Sequence, residues 1–365
     1  MKKRLVLAGG GHAHVHVLKA FGDKPLNDVE LVLISPHQRQ IYSGMLPGWV
    51  AGHYRLDQCT IPLAPLAARA GAAFRETAVI RIDFATRTVL CANGAAVPFD
   101  VLSIDTGAVA DVSPIEGAID HAVSIRPLER FVEAIPLMSS WIDAQTRTRI
   151  AMVGAGAAGV EIALAMQHAF RERNVGVTLI SAGNTLPGNI TPRVVRALRK
   201  RGVNIMAGQA ATRIGEREVH LASGGAVDAD FIFASLGASA AAWPRASGLI
   251  TDDKGFIVTN THLQSVSHAN VFAAGDCAGI EHFARPKSGV YAVRAGPPLA
   301  ENLRRFLLGE PLRAYRPQAS SLYLISTGDR YAIASWGGLS WEGAWVWHWK
   351  DWIDRRFIRR YTALR

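Results

Sequence analysis

Two short glycine-rich stretches carry the clearest chemistry in this chain. Val153-Gly154-Ala155-Gly156-Ala157-Ala158-Gly159-Val160-Glu161 has the G-x-G-x-x-G spacing of a dinucleotide-binding loop. Gly154 allows a tight turn, and Gly156 lets backbone N–H groups approach a pyrophosphate. Gly159 lets the next helix pack closely on a sheet, and the helix N-terminus favours phosphate charge. Gly9-Gly10-Gly11-His12-Ala13-His14 supplies the first glycines but has His14 at the third place. A side chain there cannot allow the same close packing, so this helix is expected to sit differently. Taken alone, the stretch is a glycine-rich turn before a helix. His12 and His16 have i, i+4 metal-pair spacing, but no carboxylate or cysteine completes a set nearby, so no metal is expected.

These loops need strands before them and helices after them. Arg4–Ala8 reads as a strand, Gly11–Phe21 as a helix and Val29–Ile34 as a second strand. The grammar restarts about 145 residues later, with a strand at Arg149–Val153, a helix from Gly156 to about Arg171 and a strand at Val175–Ile180. Continuous apolar strands alternating with helices predict a parallel, doubly wound α/β sheet in each copy. Antiparallel β inserts are expected in ETAVIRID, TRTVLCANG and FDVLSID, and again between residues 210 and 237. Both second strands end in serine, Ser35 and Ser181, where an acid that binds ribose is common. Serine can make one hydrogen bond to a ribose hydroxyl. At the second loop, loss of the acid also removes the repulsion of a 2′-phosphate. Arg193, the nearest downstream base, is a distant candidate for it, so NADH and NADPH both stay open.

The 49% hydrophobic content and 34 glycines describe a folded chain of two or three domains. No apolar stretch is long enough for an ordinary spanning helix. MKKRLVLAGGG imitates a signal peptide, but its apolar run is only Leu5 to Ala8, so a first strand and a cytoplasmic protein are expected. Cys59, Cys91 and Cys277 are far apart, which disfavours a disulfide framework or a cysteine-rich zinc site. The net charge of +10 raises nucleic acid as a partner, but no recognised fold or base-stacking motif accompanies it, and none is expected.

Val271-Phe272-Ala273-Ala274-Gly275-Asp276 is an apolar strand ending in Gly-Asp. With it, the chain resembles the FAD-dependent pyridine nucleotide-disulfide oxidoreductase superfamily over residues 1 to about 308. The motifs occur in order: Gly9–Gly11, Thr106-Gly107, Gly154–Glu161 and Gly275-Asp276. The resemblance implies two Rossmann-like domains, an FAD domain split by an inserted NAD(P) domain. The expected division is 1–120 and 245–308 for FAD, 121–244 for NAD(P), and a small α+β C-terminal region at 309–365. Gln40-Ile41-Tyr42-Ser43-Gly44-Met45-Leu46-Pro47-Gly48 stands where disulfide reductases carry paired cysteines, so thiol relay chemistry is disfavoured. The type II NADH dehydrogenases are the nearer likeness. YSGMLPGWVAGHY, RPKSGVYAVRAGPPLAENL and WHWKDWIDRRF are similar to the flavoprotein fused ahead of selenophosphate synthase in some bacteria.

The resemblance implies FAD and NAD(P)H as cofactors and mostly binding roles for the residues. Gly9, Gly10 and Gly11 would cradle the FAD pyrophosphate with His12 at the helix start; Ser35 would meet the adenosine ribose. Thr106, Gly107, Gly275 and Asp276 would complete that site. Gly154, Gly156, Gly159 and Ser181 would hold NAD(P)H. Glu161 would approach nicotinamide and flavin, or else be a solvated first-turn carboxylate favoured by the helix dipole. Gly289 starts a helix aimed at the flavin pyrimidine, where Lys287 would assist or simply lie at the surface. Tyr42 is either a flavin-face aromatic or a core residue.

Six of the nine tryptophans follow residue 335. On a helical projection Trp345, Trp349, Trp352, Ile353 and Phe357 form one stripe, with Lys350, Arg355 and Arg359 elsewhere. Residues 350–365 hold six Lys+Arg and two Asp, so +4 of the total +10 lies there. The stripe suits either a peripheral membrane contact or internal docking of the helix. The leading expectation is an NAD(P)H dehydrogenase that passes electrons to a quinone. The others are a reductase of a selenium or other small inorganic substrate, and a flavin-containing assembly module that partners selenophosphate synthase.

Overall fold

The computed structural model describes residues 2–183 and 189–363. Its first sheet has five parallel strands, in spatial order Val271–Ala273, Val101–Ile104, Lys3–Ala8, Val29–Ser35 and Ala72–Glu76. The second repeats the plan with Val123–Ser124, Phe231–Ala234, Thr148–Val153, Val175–Ser181 and Asn204–Ala207. The central strands are buried on both faces, which is why their sequences run continuously apolar instead of alternating. The first sheet is completed by a strand that follows the whole second sheet in sequence.

Each unit carries a three-stranded antiparallel insert, Val79–Asp83 with Thr88–Cys91 and Ala96–Pro98, and Ala211–Ile214 with Glu218–Leu221 and Ala226–Asp228. The expected third runs do not join these inserts. FDVLSID and DADFIFASLG instead supply Val101–Ile104 and Phe231–Ala234 to the parallel sheets. Val101–Ile104 is buried at every position, whereas the insert strands alternate buried and open positions.

Helix His12–Asp23 follows the first glycine loop and packs against the 20-residue helix Gly289–Leu308. Gly296 makes that approach possible, because a Cβ there would lie 2.7 Å from the His16 Cβ. Helix Ala157–Ala169 follows the second loop. The C-terminal region is a three-stranded meander, Tyr323–Ser326, Ala332–Trp336 and Leu339–Gly343, followed by helix Ala344–Thr362. Its buried face is Val346, Trp347, Lys350, Asp354, Ile358 and Tyr361. The expected aromatic stripe therefore divides. Trp345, Trp349 and Trp352 stay exposed, while Ile353 and Phe357 turn partly inward. No described helix is long and apolar enough to cross a membrane.

Candidate active site

The two loops meet their glycine requirements through backbone geometry. Gly9 and Gly154 adopt φ of 96° and 106°. A Cβ on Gly9 would lie 2.3 Å from the Asp105 carbonyl oxygen, and one on Gly154 would lie 2.1 Å from that of Ser235. Gly159 packs on its own loop, with room for no Cβ beside the Gly154 carbonyl. At the matching place in the first loop, His14 is fully buried and replaces that close packing with hydrogen bonds. Its Nδ1 lies 2.6 Å from the Gly9 carbonyl oxygen and its Nε2 lies 2.8 Å from Ser103 Oγ. A carbonyl can only accept, so Nδ1 donates to Gly9 and Nε2 accepts the serine hydroxyl. Burial pushes the His14 pKa down to about 4, so the ring is neutral.

A cavity of about 1680 Å³ opens between the two sheets and the C-terminal region. Of the candidate cofactor and catalytic residues read from the sequence, Tyr42, Gly156, Glu161, Gly275, Asp276, Lys287 and Gly289 line it. Gly9, Gly10, Gly11, His12, Ser35, Thr106, Gly107, Gly154, Gly159 and Ser181 do not form its wall. They shape the loops and strand ends around it. Ser35 donates to the His37 carbonyl and Ser181 to the Gly183 carbonyl, so both serines brace the turn after their strand. Gly107 has φ of 74°, and its neighbour Thr106 faces Gly9. His12 lies beside the Tyr42 and Phe357 rings, 5.8 and 6.1 Å from their centres, while His16 approaches the Tyr361 hydroxyl at 3.2 Å. Arg193 is held by Glu342 at 3.1 Å in the C-terminal meander, so it is already engaged by a carboxylate.

Glu161 is the fifth residue of its helix and is no solvated first-turn carboxylate. Burial pushes its pKa up to about 7, opposed by the Lys350 charge and by an N–H from Ser326 that reaches Oε1 at 2.8 Å. Lys350 comes from the C-terminal helix and is 9% exposed. Its Nζ donates to Asp354 Oδ2 at 2.6 Å and to the Gly44 carbonyl. Burial lowers its pKa, but Asp354 and Glu161 outweigh that effect and hold the ammonium protonated. Tyr42 stacks on Phe357 at 4.4 Å between ring centres, and burial and Asp354 raise its hydroxyl pKa.

On the opposite wall, Arg126 Nη1 pairs with Asp276 at 3.2 Å and Arg126 Nη2 donates to the Lys287 carbonyl at 3.1 Å. Lys287 is no free surface lysine. It donates to the Ala278 carbonyl, lies 4.1 Å from the centre of the Phe256 ring, and has its pKa lowered by burial. Cys59, Cys91 and Cys277 are free and buried, and none lines the cavity. Burial pushes Cys277 up to about 12, so its thiol stays protonated.

Sequence reasoning missed Lys350, Asp354, Arg126 and Asp105. The Lys350–Asp354 pair has i, i+4 helical spacing, a readable signal, but nothing local shows that this face is internal. Arg126 and Asp105 carry no motif.

The geometry has two glycine loops at helix starts, a shared cavity and a carboxylate-arginine pair beside a third helix start. It fits two dinucleotides meeting end to end. The family model of pyridine nucleotide-disulphide oxidoreductases matches residues 3–296.

The chain belongs to that family.

It is a flavin-dependent NAD(P)H oxidoreductase of the type II NADH dehydrogenase-like branch, and its cofactors are FAD and NAD(P)H. Ferroptosis suppressor protein 1 of Xenopus tropicalis is 27% identical over 286 residues, 73% of this chain and 72% of the relative. A demethylphylloquinone reductase of Synechocystis is 25% identical over 362 residues, covering 94% and 89%. Among solved structures, the sulfide:quinone oxidoreductase of Aquifex aeolicus aligns with a TM-score of 0.83 at 19% identity, covering 99% and 92%; this likeness concerns the fold. The family name refers to a disulfide, yet this chain brings no cysteine to its cavity.

Proposed function

We propose that this flavoprotein passes electrons from NAD(P)H to a quinone-type acceptor at a membrane surface. The observation that carries the reading is the C-terminal helix, which puts Lys350, Asp354, Ile353 and Phe357 against the cavity and leaves Trp345, Trp349 and Trp352 exposed. One helix thus links an apolar exterior to the acceptor side of the site. When bound, FAD would supply the two-electron chemistry between NAD(P)H and the acceptor.

The chain's own residues bind, orient and move protons. In this reading, Gly9–Gly11 and Asp276 hold FAD, Gly154–Gly159 hold NAD(P)H, and the helix starting at Gly289 favours negative charge near the flavin. Reduction of a quinone to a quinol consumes two protons, of which NAD(P)H brings one. Glu161, whose pKa is pushed up to about 7 by burial, suits the donor of the second, and the Lys350 charge stabilises the carboxylate left behind. The absence of a cysteine from the cavity favours this reading over sulfur or selenium chemistry.

The deciding experiment is anaerobic. NADH or NADPH should bleach the yellow protein, and a soluble quinone should restore its colour. Bleaching without recovery would remove the quinone and leave the dehydrogenase.

The membrane contact has its own test. Trp336 and Leu339, at the meander turn, are exposed together with Trp345, Trp349 and Trp352, each between 36% and 65%. Arg356 lies over the Trp352 ring at 5.1 Å. Tryptophans beside arginines suit the headgroup layer of an anionic bilayer. The triple replacement Trp345→Ser, Trp349→Ser, Trp352→Ser should weaken sedimentation with anionic liposomes by about tenfold or more, with NAD(P)H bleaching retained. Equal sedimentation of both proteins would sink the membrane contact.

A further inference from the structure

Asp105 follows the strand Val101–Ile104 and is 2% exposed, yet the reaction described above does not use it. Its Oδ2 accepts the backbone N–H groups of Ala13 at 2.8 Å and His14 at 3.1 Å, in the first turn of the helix after the first glycine loop. Its Oδ1 makes no hydrogen bond among the described residues. That oxygen lies between the two glycine segments of the FAD site: a Cβ on Gly11 would be 2.3 Å from it, and one on Gly275 would be 2.2 Å from it. The carboxyl therefore joins the loop Gly9–Gly11 to the segment Gly275-Asp276 from behind, with Oδ2 accepting two amides and Oδ1 placed between the two glycine segments.

The surroundings decide which form of the acid suits a bound dinucleotide. His14 is neutral, with both ring nitrogens engaged by Gly9 and Ser103. Asp276 adds negative charge, and its nearest cation, Arg126, is already paired with it. Lys287 is bonded to the Ala278 carbonyl, and the neighbouring Cys277 thiol is uncharged. Among the described residues, no cation faces Asp105 at hydrogen-bonding distance. An ionised Asp105 would put a further negative charge behind a diphosphate in a buried setting, where like charges repel strongly. A neutral Asp105 would keep its two amide bonds through Oδ2 and present an O–H at Oδ1.

We propose that Asp105 enters the FAD complex as a neutral carboxylic acid, donating from Oδ1 to the diphosphate–ribityl part of the cofactor, so that FAD binding takes up one proton. This rests on the cofactor assignment and is independent of the electron acceptor. The sign follows from the acid's position. Without FAD, burial pushes Asp105 up to about 7, helped by the nearby Asp276 charge and opposed by the two amides. A diphosphate beside it raises the pKa further. Affinity is then fully present below about pH 7 and falls as pH rises above it, by up to about tenfold per unit.

The test uses the full chain stripped of FAD and titrated with FAD, following the quenching of flavin fluorescence across neutral and mildly alkaline pH. The wild-type dissociation constant should climb above neutrality, while Asp105→Asn, which keeps a donor and a shape without the charge, should bind with a flat profile. A flat wild-type profile, or an Asp105→Asn profile with the wild-type slope, would overturn the proposal. Calorimetry of FAD binding to wild-type protein, in buffers of different ionisation enthalpy, reads the proton directly and needs no variant. Uptake of about one proton per FAD above neutral pH supports the proposal, and no uptake overturns it. Failure to bind FAD at any pH would instead remove the cofactor assignment on which it rests.

Discussion

Lys350→Met is expected to destabilise the protein by about 3–5 kcal/mol, because removing one member of a buried ion pair strands the other. Lys350 and Asp354 are 9% and 4% exposed and lie 2.6 Å apart. Methionine fills much of the lysine volume, so the loss is electrostatic more than steric. Without the ammonium, Asp354 keeps only the Tyr42 hydroxyl as a side-chain partner, Glu161 loses its nearest cation and the Gly44 carbonyl loses its donor. Adding Asp354→Asn should recover part of the loss, since the stranded charge is then gone. Urea denaturation of the four proteins of this double-mutant cycle gives the coupling. A single variant that unfolds at the wild-type midpoint would mean that the helix does not hold this pair inside.

The largest effect on turnover is expected at Glu161. Burial raises its pKa to about 7, so below that pH the side chain is a neutral acid with a proton to give, and above it a carboxylate with none. Reoxidation of the reduced enzyme by a quinone should therefore slow by up to about tenfold per pH unit above pH 7. Glu161→Gln preserves the oxygen that accepts the Ser326 N–H but removes the transferable proton. Its reoxidation should be slower by about 100-fold and independent of pH across this range, in line with the usual worth of a positioned acid. Stopped-flow spectra separate this step from flavin reduction by NAD(P)H, which should proceed in the variant. If the variant retains the wild-type pH slope, the proton comes from another group.

The parts of this protein that were legible in its sequence are local. A glycine that must turn with positive φ, or let a helix touch a carbonyl, is constrained by neighbours a few residues away, as at Gly9, Gly154 and Gly159. The repeated strand–loop–helix plan follows from the same short-range patterns. Elsewhere the local pattern is ambiguous between partners. FDVLSID has the length and composition of an insert strand, but both its faces are covered and it joins the parallel sheet. The aromatic stripe of the last helix was visible as a stripe, whereas which of its residues face inward depends on the walls it packs against.

The sequence by itself determined two dinucleotide loops on two copies of one sheet plan, and disfavoured a paired-cysteine relay, because both rest on residue type and short spacing. Only the tertiary structure decided the electrostatics of the site. Glu161, Lys350 and Asp354 come from two helices far apart in the chain, and Asp105 and the loops it joins come from the ends of three strands equally scattered along it. A side chain's charge state depends on how much water its neighbours exclude and on which charges they place beside it. The packing of the C-terminal region over the cavity assembles those neighbours for Glu161, and the joining of Val271–Ala273 to the first sheet assembles them for Asp105.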